Sequence, residues 1–100
     1  MIFANVGSLG VRPGHRDELV DILTRHNPQL KDAGCLLYEV GVNGDVPDTV
    51  FVAELWTSPE AHRASLQLET VQAAIQEAMP ILSGEISGNQ FSVVDSPLRE

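Results

Sequence analysis

The chain has 100 residues, 43% of them apolar, a composition that suits one small domain with a thin core and excludes a disordered tail. Fourteen acidic residues against six basic ones give a formal net charge of −8, and the cations (Arg12, Arg16, Arg25, Lys31, Arg63, Arg99) are scattered. Phosphate backbones and anionic lipid surfaces both require clustered Lys and Arg, so nucleic-acid binding and membrane docking are not expected. A single cysteine, Cys35, precludes an internal disulfide. No basic segment followed by an apolar one trails Met1, and no apolar run approaches the length of a membrane span, so a cytoplasmic protein is expected.

Ile2 to Val11 alternates loosely and predicts a first strand, which Arg12-Pro13-Gly14 interrupts. From His15 the period becomes helical. Leu19, Ile22, Leu23, His26 and Leu30 share a face, and Pro28 predicts a kink or early end in the last turn. Ala33-Gly34 closes the helix. Cys35–Val42 and Thr49–Trp56 then read as two strands joined by the turn-rich Asn43–Asp48, a hairpin. Ser58-Pro59-Glu60 starts a helix, with Ser58 as N-cap and Pro59 in the first turn, and Ala61, Ala64, Ser65 and Leu68 form its inner stripe. A second short helix carries Val71, Ala74, Ile75, Ala78 and Met79 as far as Pro80. Gly84–Asp95 is the last strand, with a bulge expected at Gly88-Asn89.

The predicted order β-α-β-β-α-α-β fits a single α+β domain of the ferredoxin-like split βαβ type. The hairpin is apolar at both parities: Leu36, Leu37, Val40, Val42, Val50, Phe51, Val52 and Leu55 occupy both faces of the sheet. Helices cover one face, and the simplest cover for the other is a second copy of the chain, so a homodimer is expected.

Most familiar sites are absent from this sequence. It contains no phosphate-binding glycine loop, dinucleotide fingerprint or nucleophile elbow. His15, His26 and His62 are 11 and 36 positions apart, which places no pair on one helix face, so no metal site is expected. Cys35 reads as a small packing residue.

Five residues remain. Trp56 ends the third strand and serves either as core or as the wall of a pocket for an aromatic ring. Glu54 shares a strand face with Trp56 and is costly to bury without partners, so it accepts hydrogen bonds at the dimer seam or acts as a base. Asn5 interrupts the first strand with an amide suited to a substrate carbonyl or an oxygen-derived anion, or to a neighbouring strand. His62 borders the core and can take a proton near neutral pH if it faces a pocket. Tyr38 offers a hydroxyl to the same pocket or is a half-buried strand aromatic.

The run Val11-Arg12-Pro13-Gly14, then Gly34-Cys35 with Tyr38, and Glu54-Leu55-Trp56 leading into Ser58-Pro59-Glu60-Ala61-His62 resembles the antibiotic biosynthesis monooxygenase (ABM) family from Ile2 to about Val94. The resemblance implies a dimeric α+β barrel. Some members oxidise quinols or polycyclic phenols with dioxygen and no cofactor, and others degrade haem. The haem-degrading branch shares Asn5, but its tryptophan and iron-ligating histidine correspond to Ser65 and Ile75 here, neither of which replaces the ligand.

The resemblance therefore implies a cofactor-free monooxygenase acting on a small aromatic substrate with dioxygen. His62 and Asn5 are the expected catalytic residues, and Trp56, Tyr38 and Glu54 the expected substrate-binding ones. The alternative is a non-catalytic dimer that holds a small ligand or supports a partner enzyme, recognisable by a pocket whose polar groups do not converge.

Overall fold

The computed structural model describes residues 1–99. The elements are β1 (Phe3–Val11), α1 (Arg16–Leu23), α2 (Pro28–Asp32), β2 (Cys35–Gly41), β3 (Thr49–Trp56), α3 (Pro59–Ser65), α4 (Glu69–Ala78), a 3-10 turn over Met79–Ile81, and β4 (Leu82–Ser92). The strands form one sheet in the order β2-β3-β1-β4, antiparallel throughout. Each half returns its strand one place away, with β3 between β1 and β2 and β1 between β3 and β4. This is the expected split βαβ arrangement.

The first crossover is two helices and not one. α1 stops at Leu23, with Thr24 as its C-cap, and Pro28 opens α2 instead of kinking a longer helix. Asn27 caps that start, its side chain accepting from the Gln29 amide at 3.1 Å, so Asn27-Pro28 does what Ser58-Pro59 does at α3. The inner stripe of α3 is also narrower than expected: Ser65 is buried, while Ala64 faces solvent. The last strand begins earlier than expected, at Leu82, and its irregularity lies elsewhere than at Gly88-Asn89. Leu9 pairs with Ile86 but Val11 with Leu82, and Gly84 absorbs the extra residues with φ of +96°. Gly88 stays in register opposite Gly7.

The packed core sits at the C-terminal end of β1, where Val11, Leu19, Ile22, Val50, Ala78 and Ile81 are buried together. The opposite end of the helix-covered face holds Phe3, Trp56 and Glu54. On the uncovered face, Leu37, Phe51, Val6 and Phe91 remain 37–50% exposed. Among the described residues, no helix is long and apolar enough to cross a membrane.

Candidate active site

Strand register places four polar residues in one row on the face of the sheet against which the helices pack. Tyr38 pairs with Glu54, Glu54 with Asn5, and Asn5 with Gln90, so the row crosses β2, β3, β1 and β4 in turn. A register shift between Cys35 and Leu37 sets Tyr38 opposite Glu54. The next row toward the β1 N-terminus contains Trp56, Phe3 and Ser92. On the other side lie Val40, Val52, Gly7 and Gly88, and beyond them Val50, Leu9 and Ile86.

Glu54 is the hub. Its Oε2 accepts from Asn5 Nδ2 at 2.9 Å and its Oε1 from Trp56 Nε1 at 3.0 Å. A carboxylate only accepts, which fixes the Asn5 amide with its nitrogen toward Glu54. Burial of this charge is tolerated because both oxygens have donors. The carboxylate therefore lies on the helix-covered face and is satisfied by an amide and an indole. Glu54 shares the parity of Val50 and Trp56, on the helix-covered face, and not that of Phe51 and Leu55 on the uncovered one.

His62, on α3, approaches this hub from the helix layer. Its ring is 5.5 Å from the rings of both Phe3 and Trp56, and its Nε2 is 3.9 Å from Glu54 Oε1, just beyond hydrogen-bond length. Its side chain is 13% exposed. The Ser58 cap fixes the start of α3, accepting from the Ala61 amide, and Ser65 Oγ donates to the His62 carbonyl. Trp56 is 1% exposed: it closes the wall behind His62, and its N–H is already committed.

Above the row lies a cavity of about 780 Å³, roofed by the helices and lined largely by aliphatic side chains such as Leu19, Ile22 and Ala74. Asn5, Tyr38, Glu54, Trp56 and His62 all reach its wall, so all five expected site residues meet at one place. The Tyr38 hydroxyl has no protein hydrogen-bond partner among the described residues. Burial, with the Glu54 charge and then Cys35 adding to it, pushes its pKa up to about 12, so at neutral pH it is an O–H donor. Burial likewise raises the Cys35 thiol, which donates to the Leu37 carbonyl; it is a packing residue and not an activated nucleophile.

A second, shallower space of about 340 Å³ shares Asn5, Leu9, Tyr38 and Glu54 with the first and extends over Gly7, Val52, Ile86, Gly88 and Gln90. Sequence reasoning missed Phe3 and Gln90. Phe3 is 59 positions from His62 and Gln90 is 85 from Asn5, and only strand register brings them in. Among the described residues, no cluster of three His, Cys, Asp or Glu side chains forms a metal site.

The sequence profile of the antibiotic biosynthesis monooxygenase family matches residues 2–77. The chain belongs to this family. The fold of this ABM protein is similar to that of a candidate antibiotic biosynthesis monooxygenase from Chloroflexus aurantiacus J-10-fl, with 33% identity, 96% of each chain covered and a TM-score of 0.84. Rv0793 from Mycobacterium tuberculosis shares the fold at 15% identity and a TM-score of 0.80, covering 97% of this chain and 99% of that one. A further candidate from Caulobacter crescentus CB15 shares it at 20% identity and a TM-score of 0.77, with 94% and 91% covered. No curated protein matches the ABM chain significantly. At the two positions where the resemblance places haem-binding side chains, this ABM chain has Ser65, bonded to its own helix, and Ile75, neither able to ligate iron.

Proposed function

We propose that this ABM protein is a cofactor-independent monooxygenase that oxidises a quinol or polycyclic phenol with dioxygen, working as a homodimer. The observation that supports it is convergence: Asn5, Glu54, Trp56, His62 and Tyr38 meet on one wall of a mostly apolar cavity, whose other polar lining residues (Arg25, His26, Asn27, Gln29, Ser65 and Thr70) come from the helices and their connections. A passive binding module needs no such cluster. The acidic protein surface disfavours a strongly anionic substrate and is compatible with a neutral phenol.

The substrate supplies the electrons. His62 takes the phenolic proton, with the Glu54 carboxylate beside it to stabilise the imidazolium. The resulting anion passes one electron to dioxygen, the carbon radical and superoxide join as a C–O bond, and the peroxide so formed loses water. One oxygen atom stays on carbon, the other leaves as water, and the ring is oxidised to the quinone level. Tyr38 O–H and the second amide hydrogen of Asn5 donate to the developing oxyanion, and the apolar cavity holds the radical pair away from solvent.

The test is oxygen uptake by the metal-stripped protein with a panel of quinols and anthrone-like phenols, run beside His62→Ala. Uptake above autoxidation is expected, slowed at least ~10-fold in the variant, the low end of the usual contribution of a general base. Uptake at the autoxidation rate throughout, with quinols still bound, identifies the protein as a binding module. An unchanged rate in His62→Ala removes His62 from the mechanism.

A further inference from the structure

The two spaces beside the polar row are of different kinds. The larger is roofed by α1, α2, α3 and α4 and ends at Trp56 and His62. The smaller is a trough over the β1–β4 side of the sheet, its outer wall the 75%-exposed Ile86. They meet at Asn5, Leu9, Tyr38 and Glu54, so the donors and the carboxylate stand at a waist between them.

The trough has a physical cause. In the row next to Asn5 and Gln90, the facing residues of β1 and β4 are Gly7 and Gly88. A Cβ on Gly7 would lie 2.2 Å from the Ser87 carbonyl oxygen, and one on Gly88 would lie 2.9 Å from that of Val6. The strands approach too closely for any side chain, so this row is bare while the rows on either side are not. The bare strip runs from Asn5 toward Leu9 for roughly 13 Å, four residues of extended chain. Leu9, Val52 and Ile86 flank it, and no charged side chain lines it apart from Glu54 at the waist.

We propose that the trough is a subsite for a slender, uncharged alkyl side chain on the substrate, so that the preferred ligand is an alkyl-substituted quinol. Its ring occupies the roofed cavity, its oxygen sits at the waist, and its tail lies over Gly7 and Gly88. The proposal rests on the quinol reading of the roofed cavity and names the substituent that reading leaves open. An anionic group is repelled by Glu54.

The experiment is anaerobic binding of 1,4-naphthohydroquinone and its 2-methyl, 2-propyl and 2-pentyl homologues, read from the fluorescence of Trp56, the only tryptophan. A half-buried methylene strengthens binding roughly twofold, so affinity should rise about tenfold or more from the parent to the pentyl homologue. In Ile86→Glu, a change at an exposed position, the pentyl-to-parent affinity ratio should fall to near one. If the parent binds and the homologues bind no tighter, or if the ratio survives Ile86→Glu, the trough is not a subsite, while the quinol reading stands. If the parent itself does not bind, that reading fails and the subsite fails with it.

Discussion

The same four strands present two chemically unlike faces, and alternate residues of one β-strand decide which face each joins. On β3, Val50, Glu54 and Trp56 turn toward the helices and are buried, with Val52 beside them, whereas Phe51 on the other parity is 39% exposed. The helix-covered face contains the polar row and leaves a cavity over it. The other face leaves Val6, Leu37, Phe51 and Phe91 open to solvent, interspersed with Ser8, Glu39, Ser87 and Asn89, with no described element of the chain to cover them. The Glu54 carboxylate is therefore held out of water on one face, while large apolar side chains lie where water reaches on the other. That inversion of the usual pattern is what a site on one face and an interface on the other would produce.

The covered face is disrupted most by removing its hub. Glu54→Ala leaves the indole N–H of Trp56 and one Asn5 amide hydrogen without acceptors in a buried setting, a loss of about 2–4 kcal/mol expected from two orphaned donors. Urea unfolding should show it as a lower midpoint with an unchanged slope. Glu54→Gln behaves differently. The Asn5 amide can rotate by half a turn, so that its oxygen accepts from the nitrogen of the introduced amide, while the oxygen of that amide still accepts from Trp56. Most of the stability should then survive, and a fall in oxygen uptake reports the missing charge beside His62 together with the turned Asn5 amide, which no longer aims its second hydrogen as before. Equal destabilisation by both substitutions would show that the charge, and not the hydrogen-bond pattern, holds the row together.

The exposed face is tested by association. Covering Val6, Leu37, Phe51 and Phe91 with a second copy would contribute on the order of several kcal/mol per dimer from apolar area alone. The wild-type chain is expected to sediment as a dimer at micromolar concentration. Phe51→Asp, a charge in the middle of that face, should give a folded monomer with the helix-covered side intact by circular dichroism. A wild-type monomer at that concentration would remove the second copy and leave the apolar face without an account.

Much of this contrast was legible in the sequence, and what was not has a common cause. Period and punctuation gave the strand and helix order, and apolar residues at both parities of the hairpin pointed to two covered faces. Glu54 and Trp56 could be placed on one face because they are two apart on one strand. Glu54 was nonetheless expected at the dimer seam, since a strand's parity does not say which face the helices take. Asn27-Pro28 carried the same helix-start signature as Ser58-Pro59 but was absorbed into the apparent period of α1. Gly88 was expected to bulge because a strand glycine is ambiguous between a bulge and a close approach; it is a close approach, and Gly84 makes the bulge. The polar row itself depends on pairings between residues 16 to 85 positions apart, and Gln90 had no local signal to mark it.

The finest test of the covered face uses its one phenol. Tyr38 is pushed up to about 12 from an ordinary value of 10, chiefly by burial. Its folded form holds its proton where the unfolded chain has lost it, so this burial contributes stability that is complete below pH 10 and lost as pH rises through about 12. Because the chain has a single tyrosine, absorbance near the phenolate band follows this group alone. At pH 11 the folded protein should show little phenolate, and adding denaturant at constant pH should release most of it. Opening the roofed cavity to water without adding a charge, by replacing the half-buried Val71 with Ser, should draw the titration back toward 10. Titration at 10 in the intact protein would mean that water reaches Tyr38 freely, and the two faces would then differ less in dryness than their side chains suggest.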